Sequence, residues 1–166
     1  PQILCNLGSA ELAAGRPAAA LAAYRGAVAA DPAHAEAWYN LGTLWSGQPV
    51  RRGAAEAAFR RTVALSAAHV PAWYNLANTL LDAGERAAAV DAFRAVLSLD
   101  PGHADAACNL GLALADQGRP DEAEPWLRRA IVVDPGHRQA YWQFGLALRR
   151  RAAGEAVASS LRLAAK

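Results

Sequence analysis

The sequence predicts an all-α chain assembled from repeated antiparallel helix pairs, and three observations predict it. Of 166 residues, 44 are alanine and 20 are leucine. These two lead the helix-propensity order, while the β-branched and aromatic residues that suit strands are sparse. The segment Ala37-Trp38-Tyr39-Asn40-Leu41-Gly42 recurs as Ala72-Trp73-Tyr74-Asn75-Leu76-Ala77, and more loosely at 106–111 and 140–145. Upstream, Ile3-Leu4-Cys5-Asn6-Leu7-Gly8 fits the same frame, so the steps are 34, 35, 34 and 34 residues. A second marker keeps the period at Asp31-Pro32, Asp100-Pro101 and Asp134-Pro135. Self-similarity at this spacing marks stacked supersecondary units.

Five units follow, at 1–34, 35–69, 70–103, 104–137 and a shorter 138–166, read together as one domain. In the third unit, Trp73, Leu76, Ala77 and Leu80 are spaced i, i+3, i+4, i+7, the apolar stripe of a first helix. Ala89, Phe93, Val96 and Leu97 form the stripe of a second. Gly84 stands between them, with Gly15 and Gly118 in the equivalent slot, where a positive φ ends a helix. Pro17 and Pro120 suit the first turn of a second helix. Asp-Pro then closes it, because the residue before proline disfavours helical backbone.

The units depart from one another at predictable places. Glu11 stands where Trp45, Leu80, Leu114 and Leu148 stand elsewhere, so the first unit is expected to be partly exposed. The second has an extra residue near Gly47-Gln48-Pro49-Val50, no inter-helix glycine, and Ser66-Ala67 in place of Asp-Pro. A longer, less regular turn is expected there. Pro125 lies early in a second helix and should loosen its first turns. The fifth unit is expected to keep a helix pair, with Val157 in the alanine slot. No polar capping helix follows it, although repeat arrays need capped ends, so more chain or self-association should cover that end. Methionine is absent and the chain opens directly in helical sequence, as a piece of a longer protein would.

The Trp-x-x-Leu-Gly core, the later alanine and aromatic slots and the closing Asp-Pro resemble the tetratricopeptide repeat over essentially the whole chain. The packing glycine or alanine falls at Gly8, Gly42, Ala77, Gly111 and Gly145. The second helix supplies Ala20, Ala55, Ala89 and Ala123, then Tyr24, Phe59, Phe93 and Leu127. The resemblance implies a right-handed superhelical solenoid of helix pairs, its first helices lining a concave face. It extends to bacterial tetratricopeptide arrays and to the repeats that precede the catalytic domain of protein O-linked N-acetylglucosamine transferases.

Lys+Arg is 17 and Asp+Glu is 15, a net charge of +2, which argues against a polybasic chain. No apolar run reaches the roughly 18 residues of a membrane span, and no signal-like leader opens the sequence. A cytoplasmic location with no membrane partner is the expectation. Cys5 and Cys108 are too far apart for a CxxC pair or a disulfide framework. His34, His69, His103 and His137 each close one repeat, too far apart to meet one metal ion at ~2 Å. They read as periodic turn residues. No cofactor is expected, since there is no nucleophile–base pair in register, no glycine-rich phosphate loop and no HExxH. Nothing in the segment points to catalysis.

At ~100° per residue, Asn75 lies opposite the buried stripe and should face the concave solvent. Asn6, Asn40 and Asn109 hold the same slot, with Gln143 in the fifth repeat. An amide carries a donor and an acceptor, so a row of them suits an extended peptide backbone, or else caps locally. The resemblance implies the first role, because family members often use this slot so. Ser9, Glu36, Thr43, Asn78, Asp82, Asp105 and Asp116 stand nearby with Arg150 as the base, which favours a neutral to basic peptide. Tyr39, Tyr74 and Trp142 are either aromatic anchors or inter-repeat packing. A family branch that clasps acidic tails with Lys and Arg is disfavoured, because Cys5, Asn6, Ser9, Asn40, Pro71 and Asn75 hold those slots. On the second helices Arg25, Arg60, Arg94, Arg128 and Arg162 share one slot. They form either a flank for an anionic partner or solvated residues paired locally, as Glu56 to Arg60 and Asp91 to Arg94 suggest. No aromatic interleaves with them, so nucleic acid is not expected. The leading expectation is a non-enzymatic scaffold that binds a peptide or disordered segment of another protein. The alternatives are the substrate-docking arm of a larger enzyme, such as a glycosyltransferase, and an array that forms homo-oligomers through its uncapped ends.

Overall fold

The computed structural model describes the backbone of residues 1–164 and the side chains of residues 1–154. It is an all-α stack of helix pairs without strands among the described residues. The chain divides into two compact units, Pro1–Glu85 and Arg86–Lys166.

The first unit holds α1 (Gln2–Ala13), α2 (Pro17–Ala30), α3 (Ala35–Ser46), α4 (Arg52–Leu65) and α5 (Val70–Asp82). α1 packs on α2 and α3 on α4 through one device. A Cβ on Gly8 would lie 2.5 Å from Tyr24 Cε1, and one on Gly42 would lie 2.6 Å from Phe59 Cε1. The glycine removes the atom that would hold the ring of the second helix off the backbone of the first. Tyr24 and Phe59 are buried, and burying such a side chain stabilises by about 1.5–3 kcal/mol. The Tyr24 hydroxyl reaches Ser9 Oγ at 3.2 Å, so its polar end is not left unmet.

The turns follow the sequence signals. Gly15 (φ 72°) and Gly84 (φ 81°) adopt left-handed backbone, and Pro17 opens α2. In the second repeat Gly47 stays right-handed at φ −72°. The chain then needs a 3-10 turn over Pro49–Arg51 to reach α4, the less regular turn expected there. Asp31 closes α2, its Oδ1 accepting from the Ala33 N–H at 2.9 Å.

The histidines do more than mark turns. His34 Nδ1 accepts from the Ala37 N–H at 3.2 Å and His69 Nδ1 from the Ala72 N–H at 3.1 Å. Each imidazole thus caps the helix it precedes and satisfies an orphan donor of the first turn. The other ring nitrogen reaches back one repeat. His34 Nε2 is 3.2 Å from Gln2 Oε1, and His69 Nε2 is 3.5 Å from Glu36 Oε2. Trp38 and Trp73 add a second tie, their indole N–H groups donating to the Pro32 and Ala67 carbonyls at 3.0 and 2.9 Å.

The second unit holds α6 (Arg86–Leu99), α7 (Ala104–Asp116), α8 (Pro120–Val133) and α9 (Arg138–Ala164). α7 packs on α8 as in the first unit: a Cβ on Gly111 would lie 2.5 Å from Leu127 Cγ. Gly118 is left-handed at φ 74°. Asp100 and Asp134 close their helices by accepting from the Gly102 and Gly136 N–H groups at 3.0 and 2.9 Å. His103 and His137 repeat the cap, accepting from the Ala106 and Ala140 N–H groups, both at 3.3 Å. α8 runs unbroken through Pro125. Asp121, whose carbonyl the proline deprives of a donor, lies on the exposed side.

The fifth repeat corrects the sequence reading. The expected helix pair is one helix, α9, of 27 residues. Ala152 occupies the slot that Gly15, Gly84 and Gly118 hold in other repeats, and Ala153 follows it. Two strong helix formers stand where a left-handed glycine would turn the chain, so the helix continues.

Candidate functional site: the first-helix face

Asn6, Asn40 and Asn75 hold one register position on α1, α3 and α5. Asn6 is exposed and accepts from Gln2 Nε2 at 3.0 Å. Asn40 and Asn75 are half-buried, less open than the expected solvent-facing row. The Asn75 amide donates to the Tyr39 hydroxyl at 3.5 Å. The Tyr39 ring centre lies 4.7 Å from that of His69 and 6.1 Å from that of Phe59. Tyr39 thus makes contacts between repeats. Tyr74 is half-buried.

Beside Asn75 opens a cavity of about 320 Å³, walled by the irregular second-repeat turn (Ser46, Gly47, Pro49, Arg52) and by Asn75, Asn78, Thr79 and Asp82 of α5. The Thr79 hydroxyl is spent on the Asn75 carbonyl at 2.7 Å. The other polar side chains that line the cavity are Asn75, whose amide also donates to Tyr39, with Ser46, Asn78, Asp82 and Arg52. Arg52 escaped sequence reasoning because it starts a second helix. Its signal was the extra residue at 47–50, which marks the turn as displaced.

Three of the four expected groove carboxylates are already matched by a residue one repeat onward. Glu36 meets His69, Asp105 Oδ1 lies 3.1 Å from His137 Nε2, and Asp116 Oδ1 lies 3.1 Å from Arg150 Nη1. In the second unit Asn109 and Gln143 are half-buried. The Asp116–Arg150 pair sits in a pocket of about 460 Å³ completed by Ala115, Gly118, Pro120 and Gly154. Trp142 is 73% exposed.

Three arginines of the row are paired with acids on their own helices, as the spacing of Glu56 and Asp91 suggested. Arg60 pairs with Glu56 at 2.8 Å, Arg94 with Asp91 at 3.8 Å and Arg128 with Glu124 at 2.9 Å. Arg128 also lies over the Phe144 ring at 5.2 Å. Arg25 is exposed; Arg162 and Val157 lie outside the residues whose side chains are described. Exposed pairs of this kind contribute about 0–1 kcal/mol. Elsewhere, the Arg16 guanidinium holds the Glu11 carboxyl below its ordinary range, and Arg119 does the same to Glu122.

Both cysteines are buried and free. Burial, with the Glu36 carboxylate adding to it, raises the Cys5 thiol. Burial and Asp105 push Cys108 up to about 11. A reactive thiol needs the opposite shift. Among the described residues no three His, Cys, Asp or Glu side chains gather as a metal ion requires, and no helix is long and apolar enough to cross a membrane.

A family model described as tetratricopeptide repeat matches residues 5–48, 51–102, 74–140 and 109–165. No curated protein sequence matches the chain. Among solved structures, one of MamA protein aligns with a TM-score of 0.85 at 25% identity, covering 97% of this chain and 87% of that one. MamA from residue 41 to its end, from Desulfovibrio magneticus RS-1, gives 0.82 at 20%, covering 97% and 90%. The pilF protein of Pseudomonas aeruginosa gives 0.76 at 18%, covering 92% and 69%. The last two show the fold alone.

Proposed function

The chain belongs to the tetratricopeptide repeat family, and from that premise we propose that it is a protein-interaction scaffold which holds an extended peptide on its first-helix face. The observation that carries the reading is the cavity of the first unit, where Asn75 and Asn78 stand beside Asp82 and Arg52. Each amide offers a donor and an acceptor, which suits a peptide backbone whatever its side chains. The acid and the base add a preference for a polar or zwitterionic residue at that point. Asp116 is paired with Arg150, while Glu36 and Asp105 lie against histidines that accept through Nδ1 and so leave both carboxylates charged, and a bias toward basic peptides rests on these two together with Asp82.

The test starts from an array of overlapping peptides, followed by fluorescence anisotropy on the best binder. Each amide contributes about 0.5–1.5 kcal/mol net, so Asn40→Ala, Asn75→Ala and Asn78→Ala together should weaken binding roughly ten- to a thousandfold. The melting temperature should change little, since none of the three lies in the helix-pair core. Unchanged affinity refutes the proposal. A collapsed melting temperature would make the amides structural.

A further inference from the structure

A notch between the turn of one repeat and the first helix of the next occurs in each unit, and the two notches handle charge differently. In the second unit the turn of the fourth repeat, with Asp116, Gly118 and Pro120, faces Arg150 of α9, and the two charges meet at 3.1 Å. In the first unit the turn of the second repeat faces α5 across the cavity of about 320 Å³. There the sides are exchanged: the base, Arg52, stands on the turn side and the acid, Asp82, on the first helix. Asp82 holds the register position of Asp116, and Arg52 is the first residue of its helix, as Pro17 and Pro120 are of theirs. Unlike Asp116 and Arg150, neither charge enters an ion pair among the described residues.

Both charges also stand at the wrong end of a helix. Asp82 is the last residue of α5, at the negative pole of that helix, and no basic residue occupies its last turn. Arg52 is the first residue of α4, at a positive pole with no acid in the first turn and no side-chain cap. Each charge therefore works against the helix that carries it. The hydroxyls of the same wall are spent inside the chain, Thr79 on the Asn75 carbonyl and Ser46 on the Thr43 carbonyl. The cavity is left with a negative pole on one side and a positive pole on the other, both unmet.

We infer that this notch reads a pair of opposite charges on the bound peptide, a basic side chain at Asp82 and an acidic one at Arg52. The inference rests on the peptide-binding reading above and sharpens it. The chain itself shows what satisfies an acid in this register position, because Arg150 supplies a guanidinium to Asp116. A peptide arginine brings the same group to Asp82, and a neighbouring peptide carboxylate meets the Arg52 fork. A cavity of about 320 Å³ is at the small end of ligand sites and takes the ends of side chains. A peptide with one sign of charge satisfies one pole and is repelled by the other.

Fluorescence anisotropy on the 166-residue chain tests this with labelled peptides of one neutral Ser/Ala/Gly sequence. Two central positions are set to Ser/Ser, Arg/Ser, Ser/Glu, Arg/Glu, Arg/Arg or Glu/Glu, from adjacent to several residues apart. Each single charge should tighten binding about two- to fivefold, as exposed pairs do, and Arg/Glu at its best spacing by about the product. Arg/Arg and Glu/Glu should fall short of Arg/Glu, and the gains should fade in high salt. Asp82→Asn should erase the gain from arginine and keep that from glutamate, and Arg52→Gln should do the reverse. Asp82→Arg should make Glu/Glu the preferred peptide. Because each charge opposes its own helix, Asp82→Asn and Arg52→Gln should hold or raise the melting temperature; a fall in both would make the charges structural and overturn the inference. Affinities indifferent to the two peptide charges, or gains that survive both variants, also overturn it. The peptide-binding reading then stands if the Ser/Ser peptide still binds and loses affinity with the three asparagine substitutions. No binding by any of the peptides refutes both.

Discussion

Replacing Gly42 with valine tests the device that joins each helix pair. A Cβ at Gly42 would stand 2.6, 2.8 and 3.0 Å from Cε1, Cδ1 and Cζ of Phe59, where carbon atoms rest at about 3.5–4.0 Å. Phe59 is wholly buried, so the ring cannot simply swing into solvent and α4 must retreat by about 1 Å, the shortfall from that resting distance. Ala77 holds the same register position in α5, where the side chain is a single methyl group. Valine adds two further carbons. Overpacking of this size costs about 1–3 kcal/mol, and the better helix propensity of valine over glycine returns only about 0.3–0.5 kcal/mol. A net loss of about 2 kcal/mol lowers the melting temperature of a chain of this length by about 4–8 °C. Gly53→Val is the control, because a Cβ there meets nothing within 4 Å. The assay is thermal melting followed by helical circular dichroism, run as a double-mutant cycle with Phe59→Ala. With the ring removed, Gly42→Val should cost almost nothing, a coupling of about 1–2 kcal/mol. If Gly42→Val melts with Gly53→Val, or costs the same without Phe59, the glycine–ring argument is wrong.

Two further outcomes follow from the caps and the thiols. His69→Ala should lose about 1 kcal/mol of stability in urea unfolding, the usual worth of an N-cap, while His69→Asn should retain most of it; equal losses would show that the Nδ1 bond to the Ala72 N–H contributes nothing. Cys108 is held protonated, with its thiol at about 11 when folded against about 8.5 unfolded. Its contribution is therefore full below about pH 8.5 and lost as pH rises toward 11. The urea midpoint of the native chain should fall more steeply over that window than that of Cys108→Ala, and parallel profiles would contradict the assignment.

Most of the fold could be read from the sequence because its determinants lie within one repeat. Gly15, Gly84 and Gly118 sit at left-handed backbone where the pattern put them, and the missing glycine of the second repeat produced the 3-10 turn over Pro49–Arg51. Asp31, Asp100 and Asp134 close helices through bonds two residues long. These are local conformational choices, and local sequence encodes them. The fifth repeat escaped because the 34-residue period and Arg162, in the slot of Arg25, Arg60, Arg94 and Arg128, agree with a second helix, whereas Ala152 does not permit the turn before it.

The register of the first-helix residues could be read from the sequence, but the groups their charges meet could not, and the reason is the spacing of the partners. Periodicity predicts which side of a helix a residue occupies; it says nothing about what the neighbouring repeat presents to it. Glu36 reaches His69 and Asp105 reaches His137, separations slightly shorter than one period, so neither pair shows up as a repeated slot. Asp116 and Arg150 are separated by one full period and occupy a single slot with opposite charges. A reading that treats each slot as one chemical type adds such residues together as a charged surface, when the stack sets them against each other. The same logic explains why histidine recurs at the helix starts. A single ring can cap its own helix with Nδ1 and reach the preceding repeat with Nε2, a pairing that a serine or aspartate cap is too short to make. With Glu36 engaged by His69, the polar character of the first unit's face is concentrated where Asn75, Asn78, Asp82 and Arg52 wall one cavity. The irregular turn of the second repeat supplies one wall of that cavity, so the departure from the repeat pattern is also what shapes the face there.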